Sequence, residues 1–328
     1  MGKKLKYSDG IRDGFEYLLE NYDDTCVMGQ GLWSPWYVGS SMNNLEQQFG
    51  KNRVLDTPVS ENGSTGMALG AALTGLKTIV VHPRMDFMIL ATDQIVNQAA
   101  KWQSMLGGGI KIPLTIRGII NRGGEQGAQH SQALHAWYAH VPGLRVVMPA
   151  TASDARDLLI ASTLCNDPVI YIDDRWCYDH EEELEPIIEK KLSEIKPQTL
   201  KTGTDITIVS ASYSSLLSLQ AAFELEKKNV KAEVIDLRVL NPLDIELVLN
   251  SVKKTKSLLV VDGGWTHFGL SGEIIASVAE KYSFNKFLPQ RLTIKNTPAP
   301  TSKILEKIYY VEVDEIIQKV ISMIDTSV

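Results

Sequence analysis

Short apolar runs alternate with helically spaced apolar positions along almost the whole chain. Ile11, Phe15, Leu18 and Leu19 recur at three- and four-residue intervals, which predicts a helix with one buried face. Residues 25–28 then read as a strand, followed by strands at 79–82, 112–117, 145–148 and 169–173. Helical spacing fills the stretches 88–104 and 152–164 between them. Val- and Ile-rich strands alternating with helices predict a mostly parallel sheet covered on both faces. Around 180–201 the pattern changes to Glu and Lys with Pro186 and Pro197, and this reads as a linker. Beyond it the alternation resumes: strands at 206–210, 232–236, 257–261 and 291–294, helices at 214–228, 244–253, 272–282 and 313–324. The pattern predicts an α/β chain of two domains, residues 1–182 and a smaller 203–328, joined by 183–202.

Composition agrees with this picture and narrows the function. The 328 residues are 44% hydrophobic and 22% charged, enough for two cores. A net charge of −6 without basic runs argues against nucleic acid as a partner. No run approaches the ~18 apolar residues of a membrane span. The basic start, Lys3-Lys4-Leu5-Lys6, is not followed by the apolar stretch of a secretory signal. Three cysteines, Cys26, Cys165 and Cys177, with no CxxC pair, do not make a disulfide framework or a zinc ribbon. The cytoplasm is the expected compartment.

Candidate chemistry is concentrated in the first domain. Gly29-Gln30-Gly31-Leu32-Trp33-Ser34 partly matches a dinucleotide loop, but it lacks the third glycine and Pro35 interrupts the helix that should follow. Asp56-Thr57-Pro58-Val59-Ser60-Glu61 places a carboxylate where an extended segment meets a helix rich in small residues. Glu61 there is either a functional acid or a helix-start residue favoured by the macrodipole. Phe87, after Asp86, is either core or a platform for a ring. Gly123-Gly124-Glu125-Gln126 leads into Gln129-His130-Ser131-Gln132, a polar cluster suited to an active-site edge or to a solvated loop. His135 and His140 have no third ligand nearby, so no metal site is expected in this chain. There is no GxSxG elbow.

Taken together these segments resemble the beta subunit of the first, decarboxylating component of 2-oxo acid dehydrogenases, and more distantly the last two domains of transketolase. Arg53-Val54-Leu55-Asp56-Thr57-Pro58-Val59-Ser60-Glu61 is similar to the family's RIIDTPISE, and Asp93-Gln94-Ile95-Val96-Asn97 to DQVIN. Gln129-His130-Ser131-Gln132 and the run from Trp137 to Leu144 resemble QHSQ and WYGHCPGL. Asp262-Gly263-Gly264-Trp265 resembles EGGW in the second domain. The likeness runs collinearly over nearly the whole chain.

The resemblance implies roles. Glu61 corresponds to the carboxylate that hydrogen-bonds the aminopyrimidine of thiamine diphosphate, Phe87 to the aromatic that stacks on it, and His130 to an active-site histidine acting on the substrate. Gln30 and Gln129 fall beside these as cofactor- and substrate-binding positions. The Gly-Asp-Gly motif that holds the diphosphate through Mg2+ is missing from this sequence. The resemblance therefore implies an alpha subunit that carries that half of the site and most of the Mg2+ ligation, in a heterotetramer that also pairs two beta copies. A dihydrolipoyl acyltransferase is the further partner it implies.

Three departures stand out. The family's EFMTFNF reads Val81-His82-Pro83-Arg84-Met85-Asp86-Phe87, and its ENELMYG reads Asp173-Asp174-Arg175-Trp176-Cys177-Tyr178-Asp179. GEE after the first strand reads Gly29-Gln30-Gly31. His82, Arg84 and Arg175 are thus candidate ligands for a substrate more polar than pyruvate, a sugar acid or phosphorylated ketose. The opposing reading pairs Arg84 with Asp86, and Arg175 with Asp173 or Asp174. The expected function is a beta-type subunit of a 2-oxo acid dehydrogenase or decarboxylase. Its alternatives are a split transketolase-like enzyme and a scaffold without turnover, and retention of Glu61, Phe87 and His130 together speaks against the last.

Overall fold

A computed structural model describes residues 4–284 and 288–325. The chain divides into two units: residues 1–122 with 130–195, and residues 123–129 with 196–328. In the first unit the strands lie side by side in the order Arg145–Val147, Val169–Asp174, Leu114–Ile120, Lys77–His82, Thr25–Gly29, Val54–Asp56. Every pairing among them is parallel. Leu114–Ile120 and Val169–Asp174 are buried along their full lengths, as expected for strands covered on both faces.

Helix Tyr7–Asn21 buries Ile11, Phe15, Leu18 and Leu19, the stripe visible in the sequence. It lies close against helix Ala152–Thr163 because Gly10 and Gly14 lack side chains. A Cβ on Gly10 would come within 2.3 Å of the Ala152 carbonyl oxygen. The stretch predicted as one helix over 88–104 is broken into the short helix Met85–Met88, a 3-10 turn Ile89–Ala91, a π-helical segment Asp93–Ala99 and helix Ala100–Met105. Apolar periodicity alone does not distinguish these winding states.

The second unit carries a sheet in the order Gln290–Ile294, Leu258–Trp265, Ile206–Ser210, Ala232–Asp236, Gln198–Lys201. The first four strands are parallel and the last is antiparallel. Gln198–Lys201 falls in the stretch read as linker. Leu200 packs against a core built from Ile206, Ile208, Val234, Leu259 and Val261 of the strands, with Leu225, Ile316 and Val320 of the helices. A short antiparallel ribbon joins Lys4–Lys6 to Glu181–Glu183, facing lysine to glutamate at both ends. No helix among the described residues is long and apolar enough to cross a membrane.

Candidate active site

The C-terminal ends of parallel strands are where open α/β sheets present side chains to ligands, and this edge gathers most of the candidate residues. Gln30 follows Thr25–Gly29, Asp56 ends Val54–Asp56, His82 ends Lys77–His82, and Arg84, Asp86 and Phe87 come just after it. Asn121 and Arg122 follow Leu114–Ile120, and Arg175 follows Val169–Asp174.

Glu61 is the first residue of helix Glu61–Leu73. Only 8% of it is exposed, and its carboxyl has no hydrogen-bond or ion-pair partner among the described residues. Its oxygens are not fully enclosed, so the carboxyl is open to a ligand while no group among the described residues occupies it. The helix packs against the segments Ile89–Ala91 and Asp93–Ala99, which follow Phe87. Small residues permit the approach: a Cβ on Gly66 would already touch Gln94 Oε1 at 3.5 Å.

Phe87 and His130, far apart in sequence, meet as an edge-to-face pair with ring centroids 5.4 Å apart. Both are half-buried. Asp86 holds the neighbouring loop: its Oδ1 accepts from Gln132 N at 3.1 Å and from Gln132 Nε2 at 2.9 Å. Burial raises the Asp86 carboxyl above its ordinary range, against the two Gln132 bonds. Asp86 and Gln132 form a clamp that the sequence reading missed as a pair. The signal available was the polar run beside each ring residue.

His82 is 2% exposed, with Nε2 3.1 Å from Thr65 Oγ1, one turn along from Glu61. Burial pushes its imidazole down to about 4, so it is neutral at pH 7. Arg84 is half-buried; its Nη1 donates to the Pro83 carbonyl at 2.8 Å and its Nε is buried without a partner. Burial, and behind it the nearby Arg175 guanidinium, lower the proton affinity of Arg84, while Tyr37 and Asp86 act in the opposite sense. Arg175 is exposed and donates from Nη1 to Asn121 Oδ1 at 3.1 Å.

The ion pairs anticipated for these arginines are not the ones formed. Asp173 is taken by Arg117, which is fully buried and donates from Nε at 3.1 Å and Nη2 at 2.9 Å. Asp174 is taken by Arg122, through Nε at 2.8 Å. Asp86 faces Gln132. Arg84 and Arg175 are left without a carboxylate within ion-pair distance among the described residues. Arg117 also donates to Ser41 Oγ at 3.0 Å and Tyr178 Oη at 2.9 Å. A lone arginine inside the apolar run Leu114-Thr115-Ile116-Arg117-Gly118-Ile119-Ile120 was the sequence signal for such a buried partner.

Gln30 is tied to the rim, donating from Nε2 to Tyr37 Oη at 3.2 Å. Gln129 is exposed and belongs to the segment that packs with the second unit.

Comparison with known proteins supplies the family. Residues 3–177 match the transketolase pyrimidine binding domain and residues 196–316 the transketolase C-terminal domain. The chain is 36% identical over 308 residues to the pyruvate dehydrogenase E1 component subunit beta of Rickettsia bellii (strain RML369-C), covering 93% of this chain and 94% of that one. The chain belongs to the pyruvate dehydrogenase E1 beta family. The mitochondrial member from Homo sapiens is also 36% identical, over 94% of this chain and 88% of its own. Among solved structures, a split gene transketolase, described as an inactive beta4 tetramer, shares the fold with a TM-score of 0.81 at 18% identity, covering 99% of both chains. Transketolase from Campylobacter jejuni subsp. jejuni NCTC 11168 shares it with a TM-score of 0.72 at 14% identity, over 98% of this chain and 47% of that one. The E1 beta architecture, a pyrimidine-binding domain followed by a C-terminal domain, is thus the one this chain folds into.

Proposed function

We propose that this E1 beta-type chain activates the pyrimidine ring of thiamine diphosphate for cleavage of a 2-oxo acid and transfer of the acyl fragment. The observation that carries the reading is Glu61, a largely buried residue at the head of a helix whose carboxyl has no partner among the described residues. Bound there, thiamine diphosphate would supply a carbon nucleophile, once deprotonated, and an electron sink. Glu61 would hold a proton against the ring nitrogen of the pyrimidine, Phe87 would lie against its face, and Gln30 would border it. His130, held edge-on by Phe87, would give or take a proton at the substrate oxygen. Gln129 adjoins it.

The diphosphate and its Mg2+ need oxygen ligands that the missing Gly-Asp-Gly motif would have provided. An alpha subunit is the proposed source, with a second copy of this chain and a dihydrolipoyl acyltransferase completing the assembly. The test is co-expression with a Gly-Asp-Gly-bearing partner. Glu61→Gln should assemble normally yet lose turnover by ~100-fold or more, the usual worth of a positioned proton donor. Wild-type turnover in that variant would remove the reading. Thiamine diphosphate and Mg2+ should titrate the mixture and neither chain alone; saturation of this chain by itself would remove the shared site.

A second reading is favoured by the unpaired guanidiniums of Arg84 and Arg175: a split transketolase-like enzyme acting on an anionic, sugar-derived substrate. His82, neutral and bonded to Thr65, would back that pocket. Replacing Arg84 and Arg175 with Met should weaken sugar phosphates far more than pyruvate as donors. An unchanged substrate profile would eliminate this alternative.

A further inference from the structure

His130 stands in a stretch of the first unit that no regular element carries: residues 130–134 belong to neither helix nor strand. Its imidazole makes no hydrogen bond among the described residues, and its ring contact is the edge-on one with Phe87. A side chain on such a stretch is not placed by a backbone ladder and needs another restraint. Asp86 supplies one. Its Oδ1 accepts from Gln132 N at 3.1 Å and from Gln132 Nε2 at 2.9 Å, two residues beyond His130. Asp86 is 5% exposed, and its Oδ2 is buried without a hydrogen-bond partner.

The acceptor is itself firmly seated. Helix Met85–Met88 buries Met85 and Met88 completely. A Cβ on Gly118, in strand Leu114–Ile120, would come within 3.2 Å of Met88 Sδ and 3.5 Å of Met85 Cγ. Phe87 follows Asp86 directly. One carboxylate thus closes a circuit. It runs along the chain from Asp86 to Phe87, across the ring pair to His130, along the chain to Gln132, and back through two hydrogen bonds.

We propose that Asp86 is a positioning residue for His130: by holding Gln132 it fixes where the imidazole lies against Phe87. All four residues belong to the first unit. The inference rests on His130 acting at the substrate, as read above. Asp86 acts through Gln132 and has no part in the proton transfer itself. Both bonds need an acceptor oxygen and neither needs a charge, so asparagine can replace aspartate and leucine cannot.

The experiment uses the chain assembled with its alpha partner. Asp86→Leu removes both bonds and should lower kcat by about 100-fold, the penalty of a group displaced by about an ångström, with KM changed by less than about twofold. Asp86→Asn should keep kcat within about threefold of wild type, because the carboxamide oxygen still accepts. Amide hydrogen exchange across 130–134 should accelerate in Asp86→Leu and match wild type in Asp86→Asn. In a His130→Ala background, Asp86→Leu should cost less than about threefold, since the group it positions is gone; a merely structural role would keep its full cost there. Gln132→Met removes the Nε2 bond and spares the backbone one. It should cost about tenfold, and if Asp86→Leu fails to assemble, wild-type kcat in Gln132→Met overturns the proposal in its place. Wild-type kcat or unchanged exchange in Asp86→Leu overturns it too, and so does equal impairment of the Asn and Leu variants, or a full Asp86→Leu cost without His130. Wild-type turnover in His130→Ala removes the role of His130 and the proposal with it. A slow His130→Ala beside an unimpaired Asp86→Leu removes the proposal alone.

Discussion

His82 shows how burial alone sets a charge state. Its imidazole, enclosed and bonded to Thr65 Oγ1, titrates near 4, against 6.5 when exposed in the unfolded chain. A pKa depressed in the fold means that the unfolded chain binds the proton first. The stability contributed is present above about pH 6.5 and is lost as pH falls toward 4, by up to about 3 kcal/mol. Urea unfolding at pH 7 and pH 4.5 should show His82→Gln losing markedly less stability across that interval than wild type. Equal losses would mean that the ring titrates normally. The meeting of Phe87 and His130 was foreshadowed because each sits in a short motif whose spacing survives as text. The partners of Arg84 and Arg175 were not legible. Which carboxylate an arginine reaches depends on strand register, and Ile119 and Ile120 opposite Asp173 and Asp174 bring those acids to Arg117 and Arg122.

Strands Leu114–Ile120 and Val169–Asp174 are joined by the Arg117–Asp173 pair as well as by their backbone ladder. Breaking a buried pair by removing one partner strands the other charge, typically at 3–5 kcal/mol. Arg117→Met should therefore lower unfolding free energy by about that amount, and adding Asp173→Asn should recover a good part of it, measured by denaturant titration. Two helix glycines make a contrasting pair. Alanine gains about 1 kcal/mol of helix propensity over glycine, but at Gly10 the new methyl meets the Ala152 carbonyl oxygen at 2.3 Å. Overpacking of that kind costs about 1–3 kcal/mol, so Gly10→Ala should be a net loss. At Gly70 a methyl would meet no atom within 4 Å, so Gly70→Ala should raise the melting temperature of the isolated chain. The sequence pattern foresaw both helices, the first from its apolar spacing and the second from its run of small residues, since both signals are local. It missed the π-helical winding at Asp93–Ala99 and the edge strand Gln198–Lys201. Winding and edge pairing are decided by neighbours that are distant along the chain.

Each unit has its own core, and that of the second draws on residues from Leu200 to Ile324. Residues 196–328 expressed alone should therefore unfold in one cooperative transition with a heat-capacity change of about 12–15 cal/mol/K per residue, by calorimetry. A broad transition without that change would show dependence on the rest of the chain. The α/β class and two-part organisation were readable from alternation alone. The departure of Gly123–Gln129 to the second unit was not, because glycines announce a turn but not what the turn rests on. The ribbon of Lys4–Lys6 against Glu181–Glu183 has a separate implication. It draws the opening and closing segments of the first unit together like a purse string, so a longer polypeptide could enter and exit that unit at a single point.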